Sequence, residues 1–191
     1  MFSSVENGNR SRLADLFNQE GFSSGMQELF YGLVDGTDFF TAPASTKFHG
    51  AYPGGLFEHC FAMTKLLLDW TKKGLITWER LESPIIVGML HDFTKVGKYK
   101  THFNSYEELS KPYEYSYNSG VTTYGGHGSD SVIKVSLGFP LTQEEALCIR
   151  YHMGAYEGRD AWNEFERAIY KYQTVLWTHH ADMVASKVLG V

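Results

Sequence analysis

Histidine and aspartate recur at five separated places in settings that ordinarily exclude them. His91 and Asp92 adjoin at the end of the oily run Ile85-Ile86-Val87-Gly88-Met89-Leu90, in "MLHDFTKVGK". Asp182, in "YQTVLWTHHADMVASKVL", shares a helical face with Val175, Thr178, His179, Ala185 and Val188. His59 falls on the apolar face of a helical pattern, His152 follows Cys148 by one turn in "ALCIRYHMG", and His127 opens a helix behind Gly125-Gly126. An ionised carboxylate is costly to bury unless it is paired or bound to a metal. Neutral imidazole together with carboxylate suits Mn, Fe, Co, Ni or Zn better than Ca. One metal cluster would account for all five segments at once.

Residues so far apart can meet only if helices packed as a bundle project them into one cavity, so the pattern must supply those helices. Apolar residues at 56, 60, 63, 66, 67 and 70 form one helix face that stops near Gly74, with His59 on it. A second helix is expected from Ser83 to Asp92, where "HDFTKVGK" forms the last turn and exit. Another should run from His127 to Leu137, closed by Gly138 and Pro140. Thr142-Gln143-Glu144-Glu145 reads as a capping box opening a helix to Met153. The last helical pattern extends from 161 to 188 with a break at Tyr172 or Gln173.

Before these come a frayed start over residues 1–10 and two short helices over 11–19 and 25–34. The loop "TAPASTKFHGAYPGG" follows, where prolines and glycines forbid regular structure. Residues 103–112 are weakly helical at best. In "YEYSYNSGVTTY" aromatic and polar residues alternate around Asn118-Ser119-Gly120, which predicts a hairpin over 113–124. The expected fold is therefore all-α, a helical bundle with a small β-hairpin insertion. It is read as a single domain over 1–191, with a helical extension at 1–46 and a core at 47–188.

The chain has 191 residues, 43% of them apolar, a formal net charge of -5 and a pI of about 5.9. That is enough for a real core, and it lacks the basic field that drives wrapping of long nucleic acids. Cys60 and Cys148 lie inside predicted helices without CxxC spacing and read as core residues in a reducing cytosol. No signal core or membrane-length apolar run is visible, so a cytoplasmic protein with no membrane partner is expected.

The ordered set His59, His91-Asp92, His127, His152, Asp182 resembles the HD-domain phosphohydrolase superfamily. "YPGGLFEHC" is similar to its GGL-x-EH helix start, "LHDFTKVGKY" to its HD-x-x-K segment and "HHADMVAS" to its x-H-x-A-D ending. "YGGHGSDSV" and "IRYHMG" resemble segments of a bacterial and phage HD-domain subgroup. The resemblance spans 47–188. Taken singly, a histidine on an apolar face is more often a hydrogen-bonded core residue; five segments in family order reverse that reading.

The resemblance implies that His59, His91, Asp92 and Asp182 bind one divalent metal, with Asp92 bridging to a second held by His127 and His152. One or two ions of Mn, Fe, Co, Ni or Zn are expected, with Mg admissible. It also implies that Lys95 holds a phosphate oxygen beside catalytic Asp92. Where the family often has glycine before that lysine, this chain has Thr94. Lys47 and His49, in the loop before the His59 helix, and His179, beside Asp182, are further candidate substrate-binding residues. Lys95 and Lys98 also suit a helix end, His102 reads as a solvated loop residue, and His180 should point away from the site.

The activity implied is a metal-dependent phosphohydrolase that cleaves a phosphomonoester or phosphodiester of a small nucleotide-like substrate by a metal-activated hydroxide. The alternatives are an exonuclease or cyclic-nucleotide phosphodiesterase, and a non-catalytic nucleotide-binding module. The tyrosines of the hairpin read as packing or a homodimer contact, and also as a stacking wall for a base.

Overall fold

The computed structural model describes residues 2–103, 113–121, 125–156 and 159–191. It is mostly helical, with eight α-helices and one two-stranded antiparallel sheet among the described residues. The chain divides into two compact units. One comprises Met1–His59, Lys95–Thr122 and Val191, and the other Cys60–Thr94 and Thr123–Gly190. None of the described helices is long and apolar enough to cross a membrane.

The first unit is built on aromatic residues. Helix α1 (Phe2–Gln19) and helix α2 (Ser24–Val34) pack Phe17 and Phe30 edge to face at 5.3 Å, and Phe17 stacks on Phe22 at 4.4 Å. Phe39, Phe40 and Phe57 complete this buried layer. α1 begins at Phe2, so the expected frayed start over residues 1–10 is corrected. Tertiary contacts override the weak helix formers Asn7, Gly8 and Asn9 there. Buried Asn9 donates to the Phe40 carbonyl at 2.8 Å, and Arg10 joins Glu6 and Asp35 while covering the Phe40 ring.

The sheet also belongs to this unit, and it differs from the expected hairpin. β2 (Tyr113–Tyr117) does form, but its partner is the preceding segment β1 (Tyr99–Phe103), with Tyr99 opposite Tyr117 and Phe103 opposite Tyr113. Asn118-Ser119-Gly120 makes a turn after the sheet, closed by Val121 N–H on the Asn118 carbonyl at 3.1 Å. The alternation in Tyr99-Lys100-Thr101-His102-Phe103 supplies matching cross-strand rings, Tyr99 on Tyr117 and Phe103 on Tyr113, each at 5.6 Å. His102 is thus a strand residue, bonded to Ser116 at 2.7 Å. The expected second strand, with Tyr124, and the piece at 104–112 lie largely outside the described residues.

The second unit contains residues 60–72 of α3 (Gly55–Lys72), then α4 (Ser83–Leu90), α5 (His127–Ser136), α6 (Gln143–Tyr151), α7 (Trp162–Lys171) and α8 (Thr174–Met183). All eight residues of α4 are buried, as expected of a short helix that is apolar all round. Gly88 permits this, because a Cβ there would run into Thr64 of α3. The capping box is present, with Thr142 and Glu145 exchanging side-chain and backbone hydrogen bonds at the start of α6. Tyr172 turns extended and separates α7 from α8 at the expected break. After Met183 the chain widens into a π-helical stretch, Val184–Leu189.

Candidate metal centre

Three helix ends of the second unit converge on Asp92. α4 closes with His91 as its C-cap, α6 closes with His152 as its C-cap, and α5 opens with His127. The approach of α5 to α6 depends on Gly128, where a Cβ would collide with the Arg150 carbonyl. Gly128→Ala is therefore expected to cost about 1–3 kcal/mol and to weaken metal binding, since His127 and His152 ride on the two helices it would separate. Urea unfolding and a metal titration of the variant check both effects.

The ring orientations follow from the backbone. His91 Nδ1 lies 2.9 Å from the Gly88 carbonyl and His152 Nδ1 2.7 Å from the Ile149 carbonyl. A carbonyl oxygen only accepts, so each Nδ1 carries a proton that it donates, which leaves Nε2 as the nitrogen that can present a lone pair. Those lone pairs face carboxylate oxygens. His91 Nε2 is 3.5 Å from Asp92 Oδ2 and 4.0 Å from Asp182 Oδ1, while His152 Nε2 is 3.6 Å from Asp92 Oδ1. His127 Nε2 is 2.5 Å from the same Oδ1.

Asp92, His91 and His152 are all buried, and among the described residues His152 Nε2 has no hydrogen-bond partner. A buried lone pair facing a carboxylate without an intervening proton is an unfavourable arrangement, and a cation between them removes the repulsion. Metal–ligand bonds of about 2.0–2.2 Å place neighbouring donor atoms roughly 3–3.5 Å apart, close to the separations here. The donor atoms of Asp92, His127 and His152 lie within 4.8 Å of one another. Asp92, His127 and His152 could thus hold a metal ion, with His91 and Asp182 beside them. Asp92 presents Oδ1 to His127 and His152 and Oδ2 to His91.

The other expected site residues are placed as follows. His59 is buried on α3 as the last residue of that segment of the first unit. Its Nδ1 donates to the Val191 carbonyl at 3.0 Å, and its ring lies 5.3 Å from that of His49. Lys47 is exposed on the loop before α3, and Lys95 is buried at the end of the 3₁₀ turn Phe93–Lys95. His179 is half-buried and donates Nδ1–H to the His152 carbonyl at 2.8 Å, so it braces the turn that presents His152. His180 is exposed at the surface, and the partial desolvation of its ring, with the neighbouring His179, lowers its pKa. Burial pushes the Cys148 thiol up to about 12, leaving it a neutral core group.

Sequence reasoning missed a buried clamp centred on Thr94. Its N–H donates to Ser131 Oγ at 3.0 Å, its hydroxyl to Asp130 Oδ2 at 2.5 Å, and its carbonyl accepts from Lys134 Nζ at 3.2 Å. Lys134 also pairs with Asp130 at 3.1 Å. All three partners sit on α5, so the segment just after Asp92 is tied to the helix that carries His127. Thr94 signalled itself only as a departure from glycine, and nothing local linked it to Asp130, 36 residues away.

Comparison with protein-family models, with curated proteins and with solved structures gives no match for this chain.

Proposed function

We propose that the cluster around Asp92 is the metal centre of an HD-type phosphohydrolase acting on a small nucleotide-like phosphate ester. The observation that supports this most is the Asp92 carboxylate, buried with its two oxygens turned to separate imidazoles whose Nε2 lone pairs face it. The family-like order of the five segments, from His59 to Asp182, is the second support. In this reading the resemblance assigns His59, with His91, Asp92 and Asp182, to one ion, and His127 and His152 to another.

A divalent ion in such a site polarises a phosphoryl oxygen and lowers the pKa of bound water, from 15.7 to about 7 in the best-studied zinc case. The protein's own part is to fix the ligands. Gly88 and Ile149 set the tautomers of His91 and His152, His179 braces the His152 turn, and Thr94 anchors the Asp92 segment to α5. Lys95 is the proposed cation for a non-bridging phosphate oxygen. A net charge of -5 suits a small substrate better than a long nucleic acid.

The test is metal content per chain on tag-free protein, followed by phosphate release from a nucleotide panel with added Mn²⁺. Bound metal with turnover supports the hydrolase. Nucleotide binding without turnover would favour the non-catalytic module, and no metal with no response to any divalent ion would leave a polar core. In the active protein Lys95→Ala should keep its metal while turnover falls by about 10²-fold. Equal rates would return Lys95 to a helix-end role.

A further inference from the structure

A cavity of about 480 Å³ opens in the second unit and shares no residue with the Asp92 cluster. Its walls are the segment after α3, the start of α6 and the break between α7 and α8. Trp78, Tyr172 and Trp177 supply aromatic surface, Glu79 and Glu144 supply carboxylates, and Lys171 supplies the one ammonium among its lining residues. The volume lies in the usual range for small-molecule sites, about 300–1,000 Å³.

The walls are already fixed. Trp78 donates its indole N–H to Thr71 Oγ1 at 3.0 Å, and Trp177 packs on Trp70 at 5.3 Å between ring centres. Glu144 is buried, and its two oxygens accept from neutral donors, the Glu79 N–H at 2.9 Å and the Thr174 hydroxyl at 2.7 Å. Among the described residues no Lys, Arg or His pairs with Glu144; the first turn of α6 supplies only a partial positive charge. Lys171 donates to Gln143 and lies 5.4 Å over the Tyr172 ring. The cavity thus joins two carboxylates to aromatic surface, and its own lysine already occupies one ring face as a cation.

We propose that this cavity binds a small organic cation of the alkylated ammonium type. Aromatic faces attract such a cation through their quadrupole, and its alkyl groups fill apolar surface that a bare ammonium would leave wet. The two carboxylates set the sign of the preferred charge, and Lys171 opposes it. The proposal stands independently of the metal centre.

The full chain is titrated with choline chloride and, separately, with its neutral isostere 3,3-dimethylbutan-1-ol, following the indole N–H signals of Trp78 and Trp177 by NMR. Choline should shift both signals and bind about threefold to thirtyfold more tightly than the alcohol. Glu79→Gln should weaken choline binding about twofold to fivefold, and Lys171→Met should tighten it by a similar factor, both at exposed side chains where folding is not at stake. Equal affinity for the alcohol, no shift with choline, or a Lys171→Met variant that binds choline no better would overturn the proposal.

Discussion

Asp92→Ala is expected to lose metal-dependent stabilisation entirely, together with any turnover. An ion that binds only the folded state adds RT ln(1 + [L]/Kd), or about 2.7 kcal/mol at a hundredfold excess over Kd. In a chain of this size that corresponds to roughly 5–10 °C in Tm. Asp92 contacts three of the imidazoles, Oδ1 with His127 and His152 and Oδ2 with His91, so its removal deletes the group common to all of them. Asp92→Asn separates charge from shape, because it keeps one carbonyl oxygen in place but cancels one of the two negative charges facing the ion. Thermal unfolding with and without Mn²⁺ distinguishes the proteins: the wild type should shift, the asparagine variant weakly and the alanine variant not at all. A full shift in Asp92→Ala would remove Asp92 from the site.

The helices that carry these ligands were legible because each has a local signature. The apolar face of α3, the continuous oily run of α4, the capping box at Thr142 and the break at Tyr172 are all written within a few neighbouring residues. The convergence of His91, Asp92, His127, His152 and Asp182 was readable as a demand, since aspartate in an apolar stripe needs compensation, although no single segment shows where compensation comes from. What escaped were long-range contacts. β1 became the partner of β2 because Tyr99 and Phe103 meet Tyr117 and Tyr113 across the ladder, while the Asn118 turn offered an equally good local alternative. The first turns of α1 look frayed until Phe40 is brought against Asn9 and Arg10. Thr94 and Gly128 have unremarkable neighbours, and their roles appear only when α5 lies against its partners.

The largest effect on stability is expected from Glu145→Ala. Glu145 is fully buried, and each of its oxygens accepts two hydrogen bonds. Oε1 takes Arg80 Nε at 3.0 Å and Ser83 Oγ at 2.7 Å; Oε2 takes Arg80 Nη2 at 2.7 Å and the Thr142 N–H at 2.9 Å. Removing one partner of a buried ion pair costs about 3–5 kcal/mol. The partial exposure of Arg80, 25%, places this case near the lower end. Glu145→Gln keeps one acceptor oxygen, enough for the Thr142 N–H, while its NH2 can donate to the Ser83 hydroxyl in return, and it should lose roughly half as much. Urea unfolding measures both, and a loss below about 1 kcal/mol for the alanine variant would mean that water replaces the carboxylate. The position also bears on the metal centre. Ser83 begins α4 and Thr142 begins α6, and these are the helices that end in His91 and His152. Glu145 therefore ties together the N-terminal ends of the two helices whose C-terminal ends present those ligands to Asp92. Metal affinity should fall with stability in Glu145→Ala, and added Mn²⁺ should restore part of the lost stability; unchanged affinity would show that the ligand ends hold their spacing without the Glu145 tie.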